Sequence, residues 1–246
     1  MNFSIFLGLI IPGLLTGLGA IPVLFIKKGI SFKVIDALLG FAAGVMLAAT
    51  FFSLLLPSLE MGGILITILG IISGAIFLSI LDKITPHTHF IKGNEGPSSR
   101  LKKIWLFIYA ITLHNLPEGL AVGVGFGSQD FKVGFIIAAA IGLQNMPEGL
   151  AVALPLVGEG YSKGKALGIS FITGIFEPIM AFLGFLLVKI FVRILPFALS
   201  FAAGAMLYVI SDEIIPESHK RGYELEATFS IIFGFIVMMV LDYLLG

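Results

Sequence analysis

Cysteine is absent from the chain, which rules out disulfides, iron–sulfur clusters and thiolate zinc sites together and leaves any metal to His, Asn, Gln, Met and carboxylate ligands. Charge is scarce as well: Asp, Glu, Lys and Arg make up 12% of the 246 residues and cancel to a formal net charge of zero. The basic residues form no stripe interleaved with aromatics, so nothing points to nucleic acid as a partner.

What is present is hydrocarbon. Hydrophobic residues make up 58% of the chain, and the mean hydropathy of +1.07 is far above that of a water-soluble globule, so the lipid bilayer is the solvent. The first apolar stretch, residues 3–26, has no basic residue ahead of it, is too long for a signal h-region and ends in Lys27-Lys28, which reads as a retained span.

Runs of roughly 20 apolar residues cross a bilayer as helices, and eight are expected, at about 4–26, 34–57, 62–81, 104–126, 132–157, 165–188, 194–215 and 227–245. The fold class is an all-α integral membrane protein with a single transmembrane domain. Lys27, Lys28, Lys33, Lys83, Lys92, Arg100, Lys102, Lys103, Lys163, Lys165, Lys220 and Arg221 fall in odd-numbered loops, while only Lys132, Lys189 and Arg193 fall in even ones. Basic loops stay in the cytoplasm, so a multi-pass protein of the cell membrane with both termini extracytoplasmic is expected. The loop at about 82–103 is then cytoplasmic; its Pro, Gly, Asn and Ser residues suit turns and leave no hydrophobic face to bury.

Internal repetition organises the chain. LHNLPEGLAV at 113–122 returns as LQNMPEGLAV at 143–152, in consecutive helices that run in opposite directions. GFAAGVML at 40–47 returns as SFAAGAML at 200–207, in spans two and seven, also opposed. A fainter echo links Thr16-Gly17 and Pro22 with Thr173-Gly174 and Pro178. The expected plan is a 3+2+3 arrangement of inverted repeats, which puts transport sites near the midplane.

The chemistry lies in the repeats. Glu118 and Glu148 sit deep in spans four and five, where an ionised carboxylate costs about 2.5–3.5 kcal/mol. His114 and Glu118 share a helix face with Asn115 flanking, and Gln144, Asn145 and Glu148 repeat the pattern in the neighbouring span. Pro117 and Pro147 each remove a backbone donor, freeing the carbonyls of Leu113 and Leu143. Glu177 is a third intramembrane carboxylate, and Met46 offers a thioether from span two. No lysine or arginine lies near mid-span, so the simplest compensation is a bound cation. Three carboxylates suffice for one or two divalent ions. A mixed imidazole, carboxylate, amide and thioether set suits Zn²⁺ better than Mg²⁺ or Ca²⁺, with Fe²⁺, Co²⁺, Mn²⁺ and Cd²⁺ left open.

The mouths are acidic too. Ser53, Pro57 and Glu60 mark the outer end of span two, and Asp212, Glu213, Pro216 and Glu217 the inner end of span seven, a pathway that attracts cations. His87 and His89, downstream of Asp82, are candidates for collecting metal in the cytoplasmic loop.

HNLPEG at 114–119 and QNMPEG at 144–149, in adjacent spans, resemble the paired signatures of the ZIP family of divalent metal transporters, especially its prokaryotic GufA-like branch. The likeness covers nearly the whole chain, through TGLGAIPVLF from Thr16, GFAAGVML from Gly40 and Glu177-Pro178. The resemblance implies an uptake carrier with a two-metal centre, one ion on Met46, His114, Glu118, Gln144 and Glu148 and a second on Asn115, Glu118, Asn145, Glu148 and Glu177. It also implies an elevator motion of spans one, four, five and six against two, three, seven and eight, and a homodimer. The chain departs from the pattern at Gln144, where many members have His, at Asn145, where several of this branch have Asp, and at Asp212-Glu213, where a His-Glu pair is common.

Other classes compete. A passive metal channel uses the same ligands. An intramembrane metallohydrolase would draw on the His and Glu four apart, but the chain has no HExxH motif and no Ser or Cys beside His114. A carrier of anionic solutes would want an intramembrane Arg or Lys, which is missing.

Overall fold

The computed structural model describes residues 3–26, 31–89, 93–95, 103–128, 130–158 and 160–245, with side chains described outside 87–111. Helix satisfies every backbone N–H and C=O within one segment, which is what an apolar run needs in hydrocarbon. Accordingly α1 (Phe3–Gly19) continues into a 3₁₀ turn (Ile21–Leu24), and α2 (Phe32–Ala49) passes through a π-helical stretch (Thr50–Leu55) into α3 (Leu56–Ile84). The combined Phe32–Ile84 run of 53 residues would measure about 80 Å if straight, against about 30 Å of hydrocarbon. It breaks at Gly63, whose φ of 69° only glycine adopts without steric cost. The break falls just inside the expected third span.

Six runs among the described residues are long and apolar enough to cross a membrane, making the chain an all-helical integral membrane protein. Beyond α3 come α4 (Lys103–Gly127), α5 (Phe131–Gly158), α6 (Lys163–Gly174), α7 (Phe176–Ile190), α8 (Leu195–Val209), a second π-helical stretch (Ile210–Ile214), α9 (Ile215–Ser218) and α10 (Glu224–Leu245). The segment expected as a loop from residue 82 first completes α3, which stops at Thr85 because Pro86 forces the preceding residue to extend. Two three-residue strands follow, β1 (His87–His89) and β2 (Gly93–Glu95), paired antiparallel with His87 opposite Glu95.

Helices pack in pairs. The most extensive contacts are α3 on α8, α2 on α10, α4 on α7 and α1 on α5. Small residues permit this closeness: a Cβ at Gly44 would overlap the Ile231 carbonyl and one at Gly234 the Phe41 carbonyl, and Gly204 and Gly74 stand in the same relation to Ile71 and Phe201. Such glycine contacts stay within two groups, α1 with α4–α7 and α2 and α3 with α8–α10; no described glycine abuts a helix of the other group. Contacts along α2 with α5 and α4 with α8 join the groups. The outward faces of α3 and α10 expose Leu65, Leu69, Phe229 and Phe233, as lipid contact requires.

Candidate metal centre

The two repeats meet face to face. Pro117 and Pro147 lie inside α4 and α5, which remain helical on both sides of them. Glu118, Gln144 and Asn145 are fully buried, Asn115 and Glu177 nearly so, and His114 and Glu148 are each 8% exposed. The Gln144 amide donates to Glu118 Oε1 at 2.7 Å. Glu118 Oε2 and Gln144 Oε1 then have no hydrogen-bond partner among the described residues, so a buried carboxylate and amide share two unused acceptors.

A second cluster forms around Glu177. Its Oε1 accepts from the Thr16 hydroxyl at 3.0 Å and its Oε2 from the Asn145 amide at 2.6 Å. The same Asn145 nitrogen donates to the Pro12 carbonyl at 2.9 Å. Both acceptors require NH₂ on that side, so the orientation of the amide is determined by its surroundings. Asn115 mirrors the arrangement, donating to the Thr173 carbonyl at 2.9 Å. Pro12 and Thr173 thus stand in matching relations to the two repeats. Gly13 and Gly174 meet reciprocally at this crossing, each backbone lying where the other's Cβ would go.

The third contact was not foreseen. Glu213, expected only along the exit, comes to 2.5 Å of His114, Glu213 Oε2 facing Nε2. Glu148 lies within electrostatic reach of both, and Glu118 within reach of Glu148 and Glu177. Among the described residues no three His, Asp or Glu side chains gather into a ready-made cage. Met46 is fully buried, in the same hydrophobic cluster as Met206. Its carbonyl accepts from the Thr50 hydroxyl at 2.7 Å.

At one mouth Ser53 donates to Asp242 at 2.9 Å, in a cavity of about 400 Å³ lined also by Phe52, Pro57 and Glu60. Asp242 was missed, although Leu-Asp at 81–82 and 241–242 keeps the 160-residue spacing of GFAAGVML and SFAAGAML. Its counterpart Asp82 accepts from the Tyr208 hydroxyl at 3.2 Å. Asp212 is half-buried. The side chains of His87 and His89 lie outside the described ones.

Comparison with known proteins agrees with this chemistry. The model of the ZIP zinc transporter family matches residues 92–242. The chain is 41% identical to the zinc transporter GufA of Myxococcus xanthus over 96% of its length and 97% of that protein. It is 42% identical to the zinc transporter ZIPB of Bordetella bronchiseptica (94% of this chain, 78% of ZIPB). It is 35% identical to the human zinc transporter ZIP11 (99% and 98%).

Proposed function

The chain belongs to the ZIP family of zinc transporters, and from that premise we propose that it carries Zn²⁺ across the membrane between α4 and α5, inward from the extracytoplasmic side. It is not an enzyme, and the hydrolase reading falls with that. The observation that carries the proposal is the Glu118–Gln144 pair: a fully buried carboxylate whose hydrogen-bond partner is a neutral amide, with an unused oxygen on each. The described lysine and arginine ion pairs all involve other acids, so a divalent ion is the natural counter-charge.

The ion we assign to this position takes Glu118, Gln144, Glu148, His114 and Met46 as its ligands. A second ion on Asn115, Asn145 and Glu177 has a weaker claim, because both oxygens of Glu177 already accept hydrogen bonds from Thr16 and Asn145. We give that position a modulating role.

Eight spans grouped 3+2+3 as inverted repeats are supported by the matched pairings of α2 with α10 and α3 with α8, and of α1 with α5 and α4 with α7. An elevator motion is supported by the confinement of close glycine contacts to two groups, since a body that slides must pack tightly within itself and loosely across the seam. On this reading Zn²⁺ enters past Glu60, Ser53 and Asp242, and leaves past Glu213 and Asp212 toward Asp82.

Zinc flux into proteoliposomes of the purified protein tests the proposal, with Glu118→Ala beside it and Mn²⁺, Fe²⁺, Co²⁺ and Cd²⁺ as competitors. Saturable zinc inflow lost in the variant is expected; flux unaltered in folded Glu118→Ala protein overturns the assignment.

A further inference from the structure

Arg221 follows α9, and its pairing with the acids around it has no part in the transport reading above. Its Nη1 lies 2.7 Å from Asp36 Oδ1 at the start of α2, and its Nη2 lies 2.6 Å from Glu217 Oε1 in α9. Nη1 also donates to the Glu217 carbonyl at 3.1 Å. Asp36 is fully buried and the Arg221 side chain only 13% exposed, so the site is a desolvated one rather than a surface pair.

A guanidinium pairs most strongly with a carboxylate when both nitrogens meet the same one. Here the fork is split. Each acid receives one nitrogen, and Asp36 Oδ2 is left buried with no hydrogen-bond partner among the described residues. Glu217 in turn stands one helical turn beyond Glu213. Glu213 touches His114, and Glu217 lies within electrostatic reach of the same imidazole. His114, Glu213 and Glu217 therefore form a file leading away from the metal centre, and Arg221 closes its far end.

We propose that Arg221 is a tethered counter-cation that competes with the outgoing metal ion for Glu217 and so drives its release. This rests on the transport reading. A divalent ion reaching Glu217 displaces the guanidinium, which rotates onto Asp36 and takes the unused Oδ2, becoming bidentate. Its return to Glu217 expels the ion. Being held in place, the guanidinium acts at a high effective concentration that free cations do not match. Without such a competitor, a buried file of carboxylates binds a divalent ion well and releases it slowly.

The test replaces the charged pair by a neutral one of similar shape, Asp36→Asn with Arg221→Gln, because removing one member alone would strand a buried charge. Zinc flux in proteoliposomes is expected to show kcat and KM falling together, each by roughly threefold or more, as when release slows behind tighter binding. Arg221→Lys, which keeps a competing cation, is expected to stay near wild-type kcat. Glu217→Gln leaves the Asp36–Arg221 pair intact and is expected to lower kcat by itself. Folded double variant with wild-type kinetics, or Glu217→Gln with unchanged kcat, overturns the proposal and leaves Arg221 a structural brace. Should the double variant not fold, the Glu217→Gln arm decides alone. Absence of zinc flux in the folded wild-type protein would instead defeat the transport reading.

Discussion

The side-chain amide of Gln144 donates a 2.7 Å hydrogen bond to Glu118, joining the second copy of the repeat to the first across α4 and α5. The bond satisfies one carboxylate oxygen and leaves the other, with the amide oxygen, without a hydrogen-bond partner among the described residues. Glu118→Gln preserves the shape of the pair and removes the charge. Zinc flux at the level of empty vesicles is expected for this variant, with a normal elution profile showing that the fold survives.

Asn145 presents its NH₂ to Glu177 and Pro12, so a donor stands where the second ion is proposed to bind. Asn145→Asp turns that donor into an anion beside Glu177. The ratio of zinc to protein after equilibrium dialysis is expected to rise from one to two; a ratio unchanged from wild type would remove Asn145 from that position.

Asp242 accepts from Ser53 within the cavity proposed as the entry mouth. A carboxylate there raises the local cation concentration without joining the central site. Asp242→Asn is expected to raise KM for zinc by roughly tenfold at low ionic strength, with little change in kcat, and the difference is expected to shrink as salt is added. An equal rise at high salt would argue for direct coordination instead.

Gly149 in the second repeat has no room for a side chain, since a Cβ there would overlap the Thr16 carbonyl. Gly149→Ala is expected to lose about 1–3 kcal/mol of stability through forced separation of α1 from α5. Gly158 at the end of α5 faces open space, so Gly158→Ala serves as the control with an unchanged melting temperature in detergent.

If His114 and the buried carboxylates hold the ion as proposed, protons compete with Zn²⁺ for them, because such ligands bind a metal only in their deprotonated form. Uptake measured at fixed free zinc is therefore expected to fall as the pH is lowered, with KM rising. A KM independent of pH would mean that these groups do not hold the transported ion.

Much of the fold was readable from composition and spacing. Long apolar runs admit no structure but helix in a bilayer, and the repeats around Pro117 and Pro147 marked the two helices that hold the candidate centre. Buried acids without a nearby Lys or Arg carried the proposal of a bound cation. Pro57, Ser58 and Glu60 separated spans two and three in that reading, and only the backbone torsion of Gly63 shows the residue at which the chain turns.

Which side chains meet was decided by tertiary structure alone. Glu118 and Gln144 are 26 positions apart, Thr16 and Glu177 are 161, and Asp36 and Arg221 are 185. A hydrophobic pattern states that a helix is buried, but it carries no information about the neighbour that buries it. Glu213 read as an exit residue from its place near a helix end, and helix crossing turned it onto His114. The sequence by itself determined the membrane, the helices and the chemistry of the candidate ligands; the packing of helices through glycine contacts decided which donor faces which acid, because that depends on crossing geometry and not on local residue preference.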